Sequence, residues 1–242
     1  MSRCTGLELG KFLEGKDQDK TISTLRDVVD YLAFIHAKLK PNLDDPNRLL
    51  STGTYIERKL KKIPNINEIL INQFIENYEP IKREIEDPNC LFVFNKDAHF
   101  RNWLIDVKRS KELITAIDFE AKVDKVPPEL DLIRLLEPLE LEYNEKTLIF
   151  NHYIDALEKY SGKFLRNRIS MKRYLNLTLP QNIAFLTWKM IPQKHHISLI
   201  RKIRKNLISL RDLYPYYYEE YETQYNSLDG CLNSLEEILN SN

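Results

Sequence analysis

The sequence predicts an α+β protein that is mainly α-helical and carries one short β insertion. Only six glycines occur in 242 residues, and apolar residues recur at three- and four-residue spacing over long runs. Between residues 91 and 117 this spacing gives way to short β-branched and aromatic runs separated by polar loops. The first pattern is typical of amphipathic helices and the second of strands. We therefore expect a helical body interrupted once by a small sheet.

The first predicted helix runs from Thr21 to Lys40. Thr21 is a suitable N-cap, because its hydroxyl can accept a hydrogen bond from an amide of the first turn, and Pro41 ends the helix. Its apolar face consists of Ile22, Leu25, Val28, Val29, Leu32 and Ile35. A second helix is predicted over residues 66–86, and Pro80 is expected to end or kink it because proline has no amide hydrogen to donate.

Three short strands and a further series of helices follow. The predicted strands are Leu91 to Phe94, Trp103 to Ile105 and Leu113 to Ile117. Pro127 and Pro128 precede the next helix, since proline is tolerated in a first turn. That helix continues to Leu136, and later helices are predicted over residues 146–160, 181–190, 197–213 and 228–239.

Composition excludes several classes of protein. The 36 basic and 36 acidic side chains cancel, so no global field attracts nucleic acid or an anionic membrane. Cys4, Cys90 and Cys231 are odd in number and widely spaced, which argues against a disulfide framework or a zinc site. The N-terminus has no apolar signal core, and no stretch approaches the roughly 18 apolar residues of a membrane span. These features predict a soluble cytoplasmic protein, and no linker marks a domain boundary.

The segment with the clearest chemistry is a loop of the type Asp-x-x-x-x-Asn between two predicted strands. Asp97 opens this motif, Asn102 closes it, and Asp118 ends the third strand. In phosphoryl transfer, one carboxylate faces the acceptor hydroxyl as it loses its proton, while an amide oxygen and another carboxylate hold magnesium. Two strand ends and a tight loop can hold three such groups together.

These residues resemble the catalytic core of the aminoglycoside phosphotransferase and choline kinase superfamily, which is related to protein kinases. In that family's His-Gly-Asp-x-His-x-x-Asn loop, the resemblance puts Asp97 on the catalytic aspartate and Asn102 on the metal-binding asparagine. His99 falls on the second histidine and is assigned to cofactor binding. Asp118 falls on the magnesium aspartate, within an Ile-Asp-Phe-Glu run that is similar to that of choline and ethanolamine kinases.

Further likenesses extend the resemblance from the start of the chain to Leu136. Residues 32–37 resemble the Leu-Ala-x-Leu-His helix that precedes the loop in this family, and Asp131 lies where the family places an aspartate in a following helix. Residues 9–15 align with the hinge that leaves the N-terminal lobe. For His36 we expect a core position, and for Asp131 a structural role in support of the loop.

The chain departs from the family pattern at two places. Asn95 stands where the loop normally opens with histidine, and Lys96 stands where a small residue or arginine is usual. No glycine-rich phosphate loop or strand lysine fits before the first helix. The resemblance therefore implies a C-terminal lobe without its N-terminal lobe, in which residues 1–20 are a hinge-like remnant and residues 21–242 form the lobe.

The resemblance implies a phosphotransferase that moves the γ-phosphoryl group of ATP to a hydroxyl of a small molecule, with Mg²⁺ as cofactor. Amino alcohols, sugars and aminoglycosides are the acceptors it suggests. The N-terminal lobe is either encoded by a separate chain, lost through truncation or replaced by a partner protein. Two alternatives stay open. One is a catalytically inactive kinase-like module that binds a partner protein, and the other is an unrelated helical protein in which Asp97 and Asp118 only cap turns.

Overall fold

The computed structural model describes residues 5–39, 57–58, 60–61, 68–85, 91–94, 97–108, 111–118, 125–139, 141–186, 201, 226–227, 229–234 and 236–237. The chain forms two compact units. The first comprises Met1–Leu49 and Asn89–Met171, and the second comprises Leu50–Pro88 and Lys172–Asn242. Each unit is built from two separate segments, so the division does not follow a single linker. The assignment of residues 1–20 to a hinge stays a prediction.

The structure is mainly helical with a small sheet, which confirms the α+β prediction at that level. The helices are α1 (Leu9–Leu13), α2 (Gln18–Lys38), α3 (Glu68–Ile85), α4 (Pro128–Leu136), α5 (Tyr143–Ser161) and α6 (Met171–Leu186). The strands are β1 (Leu7–Glu8), β2 (Val93–Phe94), β3 (Trp103–Lys108), β4 (Lys111–Ala116) and β5 (Lys125–Val126). Within the described ranges, no helix is both long and apolar enough to cross a membrane.

The predicted start of the first long helix is wrong. Helix α2 begins at Gln18, because the Asp17 carboxylate accepts a hydrogen bond from the Lys20 amide at 2.7 Å. An aspartate at this position caps the helix and also interacts favourably with its dipole. Thr21 is therefore inside the helix, where its amide donates to the Asp17 carbonyl.

The proline in the second predicted helix does not end it. Pro80 lies within α3, although an interior proline costs roughly 3 kcal/mol because a backbone hydrogen bond is lost. Phe74, Tyr78 and Ile81 on either side of it are buried, and their packing outweighs this cost.

The second unit also contains most of α6, which begins well before the predicted position of Gln181. The described residues between 229 and 237 are helical, as predicted, and residues 226–227, before the predicted start, are helical too. All of residues 197–213 except Arg201 lie outside the described part.

The three-stranded sheet of the first unit has the order β1-β3-β4 and is antiparallel throughout. Strands β3 and β4 form a hairpin that pairs from Trp103 and Ala116 to Lys108 and Lys111. Both strands extend further toward the hairpin turn than predicted. Their residues near the turn are mostly polar, so the sequence showed no apolar pattern there. Strand β1 pairs Leu7 with Ile105, and a separate pair joins β2 to β5.

Helices α2 and α5 form the main helical contact of the first unit. Val28, Val29, Leu32 and Ile35 of α2 are buried, as their periodicity predicts. Helix α4 begins at Pro128, also as predicted, and nearly all of it is buried. Its buried face includes two carboxylates, Glu129 and Asp131. Burying a charge is costly unless it is paired, so both side chains must be held by partners.

Candidate active site

The loop that contains the predicted catalytic residue is closed by its own hydrogen bonds. The carbonyl of Asp97 accepts two of them, from the His99 amide at 2.7 Å and from the Asn102 side-chain nitrogen at 2.9 Å. The Asn102 amide donates to the His99 carbonyl at 2.7 Å, and a short 3₁₀ turn, Phe100–Asn102, leads into β3. The predicted catalytic residue and one predicted metal ligand are thus joined directly.

The loop is anchored to the core by Asp131 of α4. Its Oδ1 accepts a hydrogen bond from the Ala98 amide at 3.1 Å, and its Oδ2 is 3.1 Å from His36 Nε2. At the other backbone group of the same residue, the Trp103 indole donates to the Ala98 carbonyl at 3.2 Å. All of these groups are buried. The structural roles expected for His36 and Asp131 agree with these contacts.

A tyrosine that the sequence analysis did not single out orients this anchor. The Tyr153 hydroxyl is 2.6 Å from His36 Nδ1. Burial raises the pKa of Tyr153 well above its ordinary value, and the nearby Glu129 and Asp131 carboxylates raise it further. The hydroxyl therefore keeps its proton and forms a hydrogen bond with His36 Nδ1. His36 Nε2 faces the Asp131 carboxylate, which can only accept, so Nε2 carries a hydrogen and donates it in a hydrogen bond to Asp131.

Asp131 stays ionised in this setting. Burial by itself would raise its pKa, but the hydrogen bond and charge of His36, the charge of Arg134 and the Ala98 amide outweigh burial and lower it. A carboxylate that accepts several hydrogen bonds is stabilised in its charged form. The loop backbone is therefore held by a buried anion that also lies beside His36 and Arg134.

The hairpin brings the second predicted metal ligand to the same end of the sheet as the loop. Strand β3 starts one residue after Asn102, and β4 ends two residues before Asp118. The Ile117 amide donates to the Asn102 carbonyl at 2.9 Å, which continues the pairing beyond the strands. Asn102 is half-buried and Asp118 is exposed.

The two predicted functional aspartates have unusual backbones. Asp97 has φ of 53° and Asp118 has φ of 57°, and they are the two non-glycine residues with positive φ in the described part of the chain. A left-handed residue other than glycine costs on the order of 1 to 3 kcal/mol, and such residues cluster at active sites and ligand clamps. Aspartate tolerates this conformation better than most residues.

The donor set at this end of the hairpin fits magnesium. The Asn102 side-chain nitrogen is used within the loop, so its oxygen is the atom suited to a metal, together with the Asp118 carboxylate. Magnesium prefers hard oxygen ligands, uses few protein groups and takes others from water and substrate phosphates. Nowhere in the described ranges do three histidine, cysteine, aspartate or glutamate side chains form a metal-binding group.

His99 is a half-buried residue within the loop. Burial lowers its pKa, the Asp97 charge opposes this, and the charges of Arg101 and Arg134 add to it. The ring is therefore neutral at pH 7. Its Nδ1 accepts a hydrogen bond from the Arg101 amide at 3.3 Å, so Nε2 carries the proton and is the donor available to a ligand. The ring centroid is 4.4 Å from that of Phe100.

Arg134 of α4 also lies at the site, although its sequence context did not predict this. Its Nη1 is 3.2 Å from Asp97 Oδ1 and 3.6 Å from Asp131 Oδ1. Its spacing from Asp131 could have indicated this position. Residues three apart on a helix share a face, and Asp131 was already expected to support the loop. Asn95, Lys96 and Glu120, which also entered the motif comparison, lie outside the described residues.

No protein-family model, curated protein or solved structure matches this chain.

Proposed function

We propose that this chain is the catalytic lobe of a phosphotransferase that moves the γ-phosphoryl group of ATP to a hydroxyl of a small molecule. One observation carries the proposal. The sequence predicts a catalytic role for Asp97 and a metal-binding role for Asp118. These two aspartates are also the non-glycine residues with positive φ in the described part of the chain, and both lie at the same end of the β3–β4 hairpin. Strain of this kind persists only where surrounding structure enforces it, and here a buried carboxylate holds the adjacent peptide.

In the proposed reaction, the acceptor hydroxyl donates a hydrogen bond to the Asp97 carboxylate. The hydroxyl oxygen forms a bond to the γ-phosphorus as the bond between that phosphorus and the β,γ-bridging oxygen breaks. The hydroxyl proton passes to Asp97, and the electron pair of the broken bond leaves with ADP. Asp97 acts mainly by orienting the acceptor, because most catalysis of phosphoryl transfer comes from positioning and charge stabilisation.

The other site residues hold the nucleotide end of the reaction. Magnesium, when bound, neutralises the charge that accumulates on the phosphate oxygens. Asn102 and Asp118 are the residues that would hold it, and neutral His99 would donate a hydrogen bond from Nε2 to the nucleotide. A further segment, from a longer form of this chain, from a separate chain or from a partner protein, supplies the glycine-rich loop and the lysine that grip ATP in the families that this chain resembles. Sugars, amino alcohols and aminoglycosides are the first acceptors to test.

The test is magnesium-dependent ATP consumption with this acceptor panel, using wild type, Asp97→Asn and Asp118→Asn. Asparagine is the matched replacement because it also tolerates positive φ, so each variant loses charge without added backbone strain. We expect the rate to fall about 100-fold or more in Asp97→Asn. Asp106→Asn is the control, since this carboxylate lies in β3 and accepts from Thr5. Equal rates in wild type and Asp97→Asn would refute the assigned role.

A binding measurement separates this proposal from the inactive module. Mg-ATP that binds the folded state stabilises it by mass action, by about 2.7 kcal/mol at a ligand concentration 100 times the Kd. We expect a thermal shift in wild type and a smaller one in Asp118→Asn. A folded chain with no thermal shift and no turnover of any acceptor would instead indicate a non-catalytic interaction module.

A further inference from the structure

We propose that Arg134 is the positioning residue for Asp97, holding its carboxylate and the surrounding loop in the geometry that phosphoryl transfer needs. The expected effect on the reaction rate rests on the proposed function. The ion pair between Arg134 and Asp97 can be tested without activity. Arg134 lies on α4, one turn beyond Asp131. It therefore approaches the loop from the helix that already anchors the loop backbone.

Backbone contacts alone do not orient the Asp97 side chain. The hydrogen bonds from His99 and Asn102 are accepted by the Asp97 carbonyl, so they fix the backbone and do not act on the carboxylate. The side chain is also 48% exposed, so close packing does not immobilise it. An ion pair to Oδ1 at 3.2 Å restricts this rotation and thereby sets the direction of the whole carboxylate.

Arg134 is suited to this task by its own environment. Its side chain is only 20% exposed, so its position is restricted and its charge is less screened than that of a surface arginine. A single nitrogen, Nη1, lies within 3.6 Å of both Asp97 Oδ1 and Asp131 Oδ1. Two carboxylates this close to one point repel each other, and the guanidinium between them offsets that repulsion.

The loop is consequently held at two levels. Asp131 fixes the peptide that follows Asp97 through the Ala98 amide, and Arg134 fixes the Asp97 carboxylate. Both contacts come from helix α4, so the same helix positions the Asp97 carboxylate and the loop backbone. A displacement of about 1 Å at a reacting group can lower a rate roughly 100-fold.

The experiment compares Arg134→Gln and Arg134→Lys with wild type in the full chain. For Arg134→Gln we expect kcat to fall about 10- to 100-fold with the KM for Mg-ATP unchanged, because the nucleotide ligands are intact. Lysine keeps a positive donor and is expected to restore most of kcat. Arg166→Gln is the control, since it removes another arginine–aspartate pair of the same unit, with Asp155. Unchanged kcat in Arg134→Gln would overturn the role.

Amide hydrogen exchange provides the readout that does not need activity. We expect the amides of Ala98, His99 and Asn102 to exchange at least about 10-fold faster in Arg134→Gln and to be unaffected in Arg166→Gln. If wild type turns over no acceptor, the proposed function fails. Amide hydrogen exchange then tests by itself whether Arg134 holds the loop. Faster exchange confined to the loop would then uphold it, and unchanged exchange would overturn it.

A second substitution covers a failure to fold. Arg134→Met keeps the apolar stem of the side chain and its packing while removing the charge. If Arg134→Gln does not fold, the same kinetic and exchange comparisons are made with Arg134→Met. If neither variant folds, Arg134 serves the fold itself, and the positioning role is wrong.

Discussion

Replacing Asp131 with alanine should strongly destabilise the first unit. The substitution removes the acceptor of the Ala98 amide and the partner of His36 Nε2, and all of these groups are buried. Each buried polar group left without a partner costs about 1 to 3 kcal/mol, and breaking a buried charged pair costs about 3 to 5 kcal/mol. We therefore expect a loss of about 3 to 5 kcal/mol in the free energy of unfolding, a large fraction of a typical total of about 5 to 15 kcal/mol.

Trp103 offers a local probe for this measurement. Its ring is fully buried in the first unit, and its indole donates to the Ala98 carbonyl, so its fluorescence reports on the loop and core together. Trp188 is replaced by phenylalanine in every variant so that Trp103 is the sole tryptophan. With an m-value of about 2 kcal/mol/M, the urea midpoint should fall by about 2 M. A fall of less than about 0.5 M in Asp131→Ala would refute the anchor.

Asp131→Asn gives the pH dependence of the same anchor. The folded pKa of Asp131 lies below its unfolded value, which is about 3.9. A carboxylate with a depressed pKa contributes stability that is present above the unfolded pKa and is lost as pH falls through the folded pKa. The difference in unfolding free energy between wild type and Asp131→Asn should therefore be constant near neutral pH and shrink below about pH 4. A difference independent of pH down to pH 2 would contradict an ionised Asp131.

Three further predictions test the core around the site and the second unit. Tyr153→Phe removes the hydrogen-bond partner of His36 Nδ1 and should cost about 1 to 3 kcal/mol, measured by urea unfolding, and an unchanged midpoint would contradict the hydrogen bond. Cys231 is buried and burial raises the pKa of its thiol, so alkylation at pH 8 followed by peptide mass mapping should show it modified only after denaturation. Both Gly6 and Gly15 have positive φ, 134° and 69°, so alanine is strained at either position. Gly6→Ala should destabilise more than Gly15→Ala, because an added Cβ at Gly6 would also lie 3.0 Å from the Ile105 carbonyl oxygen, whereas nothing lies within 4 Å of one at Gly15. Equal thermal midpoints for the two alanine variants would contradict this close approach.

Some structural predictions depended on local signals and were accurate. The apolar spacing of α2 and the proline start of α4 identified both helices, because helix period and first-turn proline act within a few residues. The N-cap of α2 was misplaced, since Asp17 and Thr21 are both good caps and the sequence pattern did not decide between them. Strands β1 and β5 were missed because two residues are too few to show any alternation.

The candidate site divides in the same way. The sequence identified Asp97, Asn102 and Asp118 because their spacing and the surrounding strands form a local motif, and their assigned roles stay predictions. It also placed Asp131 in support of the loop, although only by resemblance to related families. The left-handed backbones of Asp97 and Asp118 had no sequence signal, since aspartate occurs in many conformations.

By itself, the sequence determined the helical character of the chain, the position of its small sheet and the residue types of one chemically coherent loop. Only the tertiary structure decided that Tyr153 orients His36, that His36 and Ala98 share one carboxylate, and that Arg134 reaches Asp97. Periodicity and capping act between neighbours in the chain, whereas these contacts join residues separated by more than 30 positions. Such contacts form only when the helices pack, because burial then requires every charged or polar group to find a partner.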